Sequence, residues 1–275
     1  MDNPHTAPDQ TDRIEELVAG LIPGGRIGSL VDGAIEDGTG DTLHLTDPAN
    51  GRVFASFRDA GQPLVDAAME AAKRAQKQWS ALTGSARGRI LYETGRLVRA
   101  NADAIAELEC RSAGRPIRDM RGEAVRVAEM FEYYAGWCDK LHGEVIPVPG
   151  SHLNYTRREP IGVVTQITPW NAPLFTGGWQ IAPALAAGNG VVIKPSELTP
   201  LSTIVLGLLC EMAGAPRGLV NVLAGAGATT GAAAVAHDAT GLVVFVGSAA
   251  GDVLTGDENA NIITGAGGND VLVGL

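Results

Sequence analysis

Apolar residues recur along this chain with two different periods, and the change from one to the other divides it. In "LVDAAMEAAKRAQKQWSAL" (64–82), Val65, Ala68, Met69, Ala72, Ala75 and Trp79 return every three to four residues, the spacing of one helix face. "SARGRILYETGRLVRANADAIAELECRSAGRP" (85–116) keeps that period, with Ser85 as an N-cap, a break near Asn101, and Gly114 with Pro116 as the stop. "RGEAVRVAEMFEYYAGWCDKLHG" (121–143) stacks Val125, Ala128, Met130, Phe131, Tyr134 and Trp137, and Gly143 ends it. From Pro160 the texture becomes short β-branched runs: "IGVVTQIT", "GVVIKP", "LVNVLAG" and "GLVVFVG". They lack the polar alternation of a half-wet sheet, and the segments between them read as helices. Strands buried on both faces and joined by crossover helices predict an α/β fold, a doubly wound, parallel, Rossmann-like sheet preceded by N-terminal helices.

The two ends of the chain follow neither period. "MDNPHTAPDQTDRIEELVAG" carries acids and Pro where a secretory leader needs a basic start and an apolar run, so residues 1–20 are expected to be a disordered tail. Residues 21–57 mix Gly, Asp and short apolar runs around the turn signal "DPANG" and predict a small β segment. From Gly247 a period of nine appears: "GSAAGDVLT", "GDENANIIT", "GAGGNDVLV". Each unit opens on Gly, holds Asp252, Asn261 or Asp270 at its sixth place, and Leu254, Ile263 or Leu272 at its eighth. The organisation is therefore a tail over 1–20, a main region over 21–248 and repeats over 249–275.

Composition narrows the partners. A net charge of -10 without a Lys/Arg cluster excludes nucleic acid and an anionic membrane as the main partner. No stretch is apolar for long enough to span a bilayer. Cys110, Cys138 and Cys210 lie far apart with neither disulfide-framework nor zinc spacing, so a reducing, cytoplasmic setting is expected.

Each β-branched run is followed by a turn with chemical potential: "TPWNAP" (168–173), "KPSE" (194–197), "GAGATTG" (225–231) and "FVGS" (245–248). Singly, each reads as an ordinary turn or a solvated charge. Four in order at the C-terminal edge of one parallel sheet are where a dinucleotide lies. The ordered set, with "DPANGRVFA", "YYAGWCDKLHGEVIP", "REPIGVVTQITPWNAPL", "WQIAPALAAGNGVVIKPSELTPLS", "GLVNVLAGAGATTGAAAVAH" and "VVFVGS", resembles the aldehyde dehydrogenase family over about 21–248.

That resemblance implies NAD(P)-dependent oxidation of a small-molecule aldehyde to a carboxylic acid by a homo-oligomeric oxidoreductase. It places Ile167, Thr168, Pro169 and Trp170 along the cofactor groove and Lys194 and Glu197 at the adenosine ribose with Ser196 beside them. Gly225, Gly227 and Gly231 fall on the adenine side, and Phe245, Gly247 and Ser248 near the pyrophosphate and nicotinamide. A carboxylate at the ribose repels a 2'-phosphate, so Glu197 implies NAD in preference to NADP. Asn171 takes the place of the oxyanion-hole amide. Val246 stands where the family usually has Thr. The family's "ELGGK"-like general base and "GQxC"-like nucleophile have no counterpart in these residues, so the chain alone is expected to be inactive, with sheet edges left unpaired.

The nonapeptides resemble the RTX repeats of calcium-binding parallel β-rolls, which implies Asp252 and Asp270 as calcium ligands on one side of a roll and Asn261 on the other. A short ordered β-roll and a glycine-rich disordered tail both remain open for this segment. For the whole chain the alternatives are a truncated aldehyde dehydrogenase, a calcium-binding structural or interaction module, and a truncated or misjoined reading frame.

Overall fold

The computed structural model describes residues 10–247, 253–255, 260–264 and 271–273. Most of the expected N-terminal tail is a helix: α1 (Gln10–Leu21) buries Ile14, Leu17 and Val18. Their i, i+3, i+4 spacing gives a stripe whose burial offsets the entropy of ordering the segment. Arg13 of α1 reaches Glu107 at 2.8 Å and fastens the helix to the body of the protein.

Four short strands follow, β1 (Ser29–Val31), β2 (Ala34–Glu36), β3 (Thr42–Thr46) and β4 (Val53–Arg58), with "DPANG" turning between the last two. The helical region comprises α2 (Gly61–Ala81), α3 (Gly84–Ala100), α4 (Ala102–Ala113) and α5 (Ile117–Ala135). Thr83, not Ser85, caps α3 by accepting from the Ala86 amide at 3.2 Å; Ser85 already lies inside the first turn. Gly114 stops α4 in the left-handed region at φ 72°, which only glycine adopts without penalty. Helix α5 ends at Ala135 rather than Gly143, so Cys138 lies in the turn beyond it. A hairpin, β5 (Val145–Ile146) with β6 (Asn154–Tyr155), stands apart with exposed Val145, Leu153 and Tyr155.

The alternating region gives β7 (Val163–Ile167), α6 (Pro173–Ala186), β8 (Gly190–Lys194), α7 (Leu201–Met212), β9 (Val220–Val222), α8 (Ala232–Val235) and β10 (Thr240–Val246). Three short strands close the described residues, β11 (Val253–Thr255), β12 (Ala260–Thr264) and β13 (Val271–Val273). The main sheet runs β12-β10-β7-β8-β9-β1-β2. Its first five strands are parallel, as the unbroken apolar runs predict, while β1 and β2 extend it antiparallel at the far edge.

The edge of β10 is not left open. β12 pairs along it, with Val244 opposite Ile262, and the Gly247 amide donates to the Thr264 carbonyl at 2.7 Å. β11 pairs in parallel with β13, Leu254 opposite Leu272. Both pairings join residues eighteen apart, two nonapeptide units, and β12 belongs to a different sheet from its sequence neighbours.

Candidate functional site

Register brings the strand-end residues together. Phe245 lies opposite Ile167, Ile167 opposite Lys194, and Ile193 opposite Val222, so the turns after β10, β7, β8 and β9 emerge along one edge. The chain winds from β7 through β8 to β9 and returns to β10 on the other side of β7. Such a reversal of strand order is the usual seat of a ligand in this architecture.

Hydrogen bonds fix the turn after β7. The Thr168 amide donates to the Lys194 carbonyl at 3.1 Å, and the Thr199 hydroxyl to the Trp170 carbonyl at 3.1 Å. Trp170 is partly exposed, and Pro169 lies between these two anchored positions. The buried Thr168 hydroxyl and the buried Asn171 Oδ1 find no partner, two polar atoms left over in this turn.

Lys194 is almost wholly buried. Its ammonium donates to the Pro195 carbonyl at 2.7 Å and the Gly225 carbonyl at 2.8 Å, with the Glu197 carboxylate at 3.6 Å. Burial pushes its pKa down; the Glu197 and Asp59 charges oppose that. The lysine thus ties the β8 turn to the glycine-rich turn, while Glu197, with its side chain 37% exposed, presents the accessible carboxylate. Ser196 stays local, its hydroxyl accepting from the Leu198 amide at 3.3 Å.

The glycine-rich turn is a π-helical turn over Gly227–Gly231. A side chain at Gly225 would clash with the Thr230 hydroxyl, and one at Gly231 would meet Lys194 at 3.2 Å. At Gly227 it would meet nothing within 4 Å, so the backbone there faces open space. Asp59, which sequence patterning did not mark, organises this turn. Its carboxylate accepts from the Ala226 amide at 2.8 Å, the Thr229 and Thr230 hydroxyls at 2.7 and 2.5 Å, and the Gly61 amide at 3.1 Å. Burial raises its pKa, but these bonds together outweigh burial and hold it below 3.8. The available signal was an Asp in "RDAGQP", between a strand and a helix start; the residues it holds lie far along the chain.

Ser248, Asp252 and Asp270 lie outside the described residues. Among the described residues no three His, Cys, Asp or Glu side chains group as a metal site. Cys210 and Cys138 are buried and Cys110 half-buried, and burial raises all three thiol pKa values, that of Cys210 to about 12. Each is poorly suited to be a thiolate nucleophile. On the α6 side of the sheet an apolar groove of about 680 Å³ runs between α6 and β10–β12, with Phe175, Trp179, Val244 and Ile262 in its walls.

Comparison with known proteins converges on one family. The sequence profile described as "Aldehyde dehydrogenase family" matches residues 35–272. Human retinal dehydrogenase 2 is 41% identical over 218 residues, covering 76% of this chain and 41% of that protein. Betaine aldehyde dehydrogenase from Staphylococcus aureus, solved in complex with NAD+, superposes with a TM-score of 0.80 at 30% identity, over 89% of this chain and 54% of that one. PnpE, solved with nicotinamide adenine dinucleotide and known from Pseudomonas sp. WBC-3, gives 0.78 at 38%, over 84% and 53%. The chain spans about half the length of these relatives.

Proposed function

The chain belongs to the aldehyde dehydrogenase family, and from that premise we infer that its strand-end turns form an NAD-binding groove. The observation that carries this reading is the row Phe245–Ile167–Lys194 which, with Val222 opposite Ile193, aligns the four turns on one edge. The residues fit the cofactor. Glu197 offers an accessible carboxylate to ribose hydroxyls, the Gly227 backbone faces open space, and Thr168 holds an unpartnered buried hydroxyl.

When bound, NAD supplies the hydride acceptor for aldehyde oxidation. The protein's part is to bind and orient. Ile167, Thr168, Pro169 and Trp170 line the groove, and Lys194 and Glu197 sit at the ribose with Ser196 beside them. Gly225, Gly227 and Gly231 flank the adenine, and Phe245, Gly247 and Ser248 approach the pyrophosphate and nicotinamide. The Asn171 amide donates to an oxyanion in the full reaction. An aldehyde must be captured by a thiolate before it can give up hydride, and burial raises the pKa of all three cysteines and holds them as thiols. The pure chain is therefore expected to yield no aldehyde-dependent NADH; reproducible turnover would refute the inference.

Cofactor choice follows from charge. Two like charges about 4 Å apart repel by roughly 4 kcal/mol at an effective dielectric of 20, so NADP+ should bind at least about tenfold more weakly than NAD+. Glu197→Gln should narrow that gap, and an unchanged gap would remove Glu197 from the ribose site.

A second reading concerns the repeats. The parallel pairings eighteen residues apart, with β12 in one sheet and β11 and β13 in another, support a β-roll-like segment with Asp252 and Asp270 on one side as calcium ligands. Under it, calcium raises the melting temperature and strengthens the β signal in circular dichroism, and Asp270→Asn abolishes both changes. A melting curve indifferent to calcium would dispose of it.

A further inference from the structure

Helix α6 begins with residues unable to cap it. Ala172, at the N-cap, has no side-chain acceptor, and Pro173 has no amide hydrogen, so the Leu174 amide is the first free donor of the helix. Its acceptor comes from another element. Glu109 of α4, 1% exposed, places Oε1 at 3.3 Å and Oε2 at 3.2 Å from the Leu174 nitrogen. The capped amide is three residues from Asn171, and the intervening turn is short and tied: the Thr176 amide and hydroxyl both donate to the Ala172 carbonyl, at 2.9 and 2.8 Å.

We propose that Glu109 is a positioning residue for Asn171, holding the Asn171–Pro173 turn in place through the Leu174 amide. The consequence for catalysis rests on the reading of Asn171 as an oxyanion donor; the mechanical coupling does not.

The surroundings make this cap sensitive to pH. Burial pushes the Glu109 carboxyl up from 4.5 to about 7. The Ser202 hydroxyl of α7 and the Leu174 amide of α6 favour the carboxylate, Glu123 of α5 disfavours it, and Arg115 favours it from beyond Glu123. Arg115 and Glu123 pair with each other at 2.6 Å, so their charges largely cancel at Glu109. The Ser202 hydroxyl is buried beside the carboxyl and makes no other hydrogen bond, so it can donate to the carboxylate or accept from the protonated acid. Above neutrality the carboxylate caps α6 with full charge at the positive end of the helix. Below neutrality the cap weakens to a neutral acceptor, and the turn bearing Asn171 relaxes.

The test is nuclear magnetic resonance of the full chain, isotope-labelled, titrated from about pH 5 to about pH 9. The backbone amide of Leu174 and the side-chain amide of Asn171 are expected to move together on one curve with a midpoint near that of Glu109. In Glu109→Gln, which keeps an acceptor but cannot ionise, both should lie flat. Two outcomes overturn the proposal: Leu174 titrates while Asn171 does not respond, or neither moves through neutrality. If the glutamine variant fails to fold, the titration of the native chain still decides. Cofactor and aldehyde are absent throughout, so failure here is distinct from failure of the NAD-binding reading.

Discussion

At the scale of single residues, the two most consequential carboxylates have opposite pH signatures. Asp59 is held below its ordinary pKa, so its contribution is complete above about pH 4 and is lost as pH falls through the folded value. Asp59→Ala strands two amides and two hydroxyls and is expected to cost about 2–4 kcal/mol in denaturant unfolding near neutrality; a loss below about 0.5 kcal/mol would mean that the glycine-rich turn holds itself. Glu109 is raised from 4.5 to about 7, so the folded state holds its proton more tightly than the unfolded one. Its stability is full below about pH 4.5, declines as pH rises to about 7, and is level above. Glu109→Gln should therefore be more stable than the native chain at pH 8, by about 3 kcal/mol, with the gap largely closed near pH 5. A gap independent of pH would deny the raised pKa. Lys194, Glu197 and Asn171 were legible in the sequence because each sits in a local motif at a strand end. Asp59 and Glu109 were not, because their partners lie 167 and 65 residues away and neither end carries a motif.

At the scale of elements, the parallel strands were legible because burial on both faces writes itself as uninterrupted β-branched runs. Helix α1 was legible in principle, since Ile14, Leu17 and Val18 share a face, but the Pro- and Asp-rich residues before it read as a tail. The pairing of β12 with β10 was beyond local periodicity, which marks a strand but not its neighbour. It matters because β10 flanks the strand that leads to Asn171, and an uncovered edge is a template for association. A chain ending at residue 247 is expected to self-associate in light scattering at concentrations where the full chain stays dispersed. Equal dispersity would show that β12 is dispensable for protecting the edge.

At the scale of the whole molecule, the chain carries the four strand-end turns, the buried Lys194 and Asn171 along one sheet edge, and it spans about half of the relatives it matches. The apolar groove beside α6 exposes Trp179 and Ile262, at 58% and 52%, on its walls. If these turns form a cofactor groove in the folded chain, calorimetric titration of NAD+ into the pure full chain will detect it. A saturable one-site isotherm, weakened at least about tenfold in Lys194→Ala, is predicted. The absence of binding by a folded chain, or an isotherm indifferent to Lys194, would contradict it.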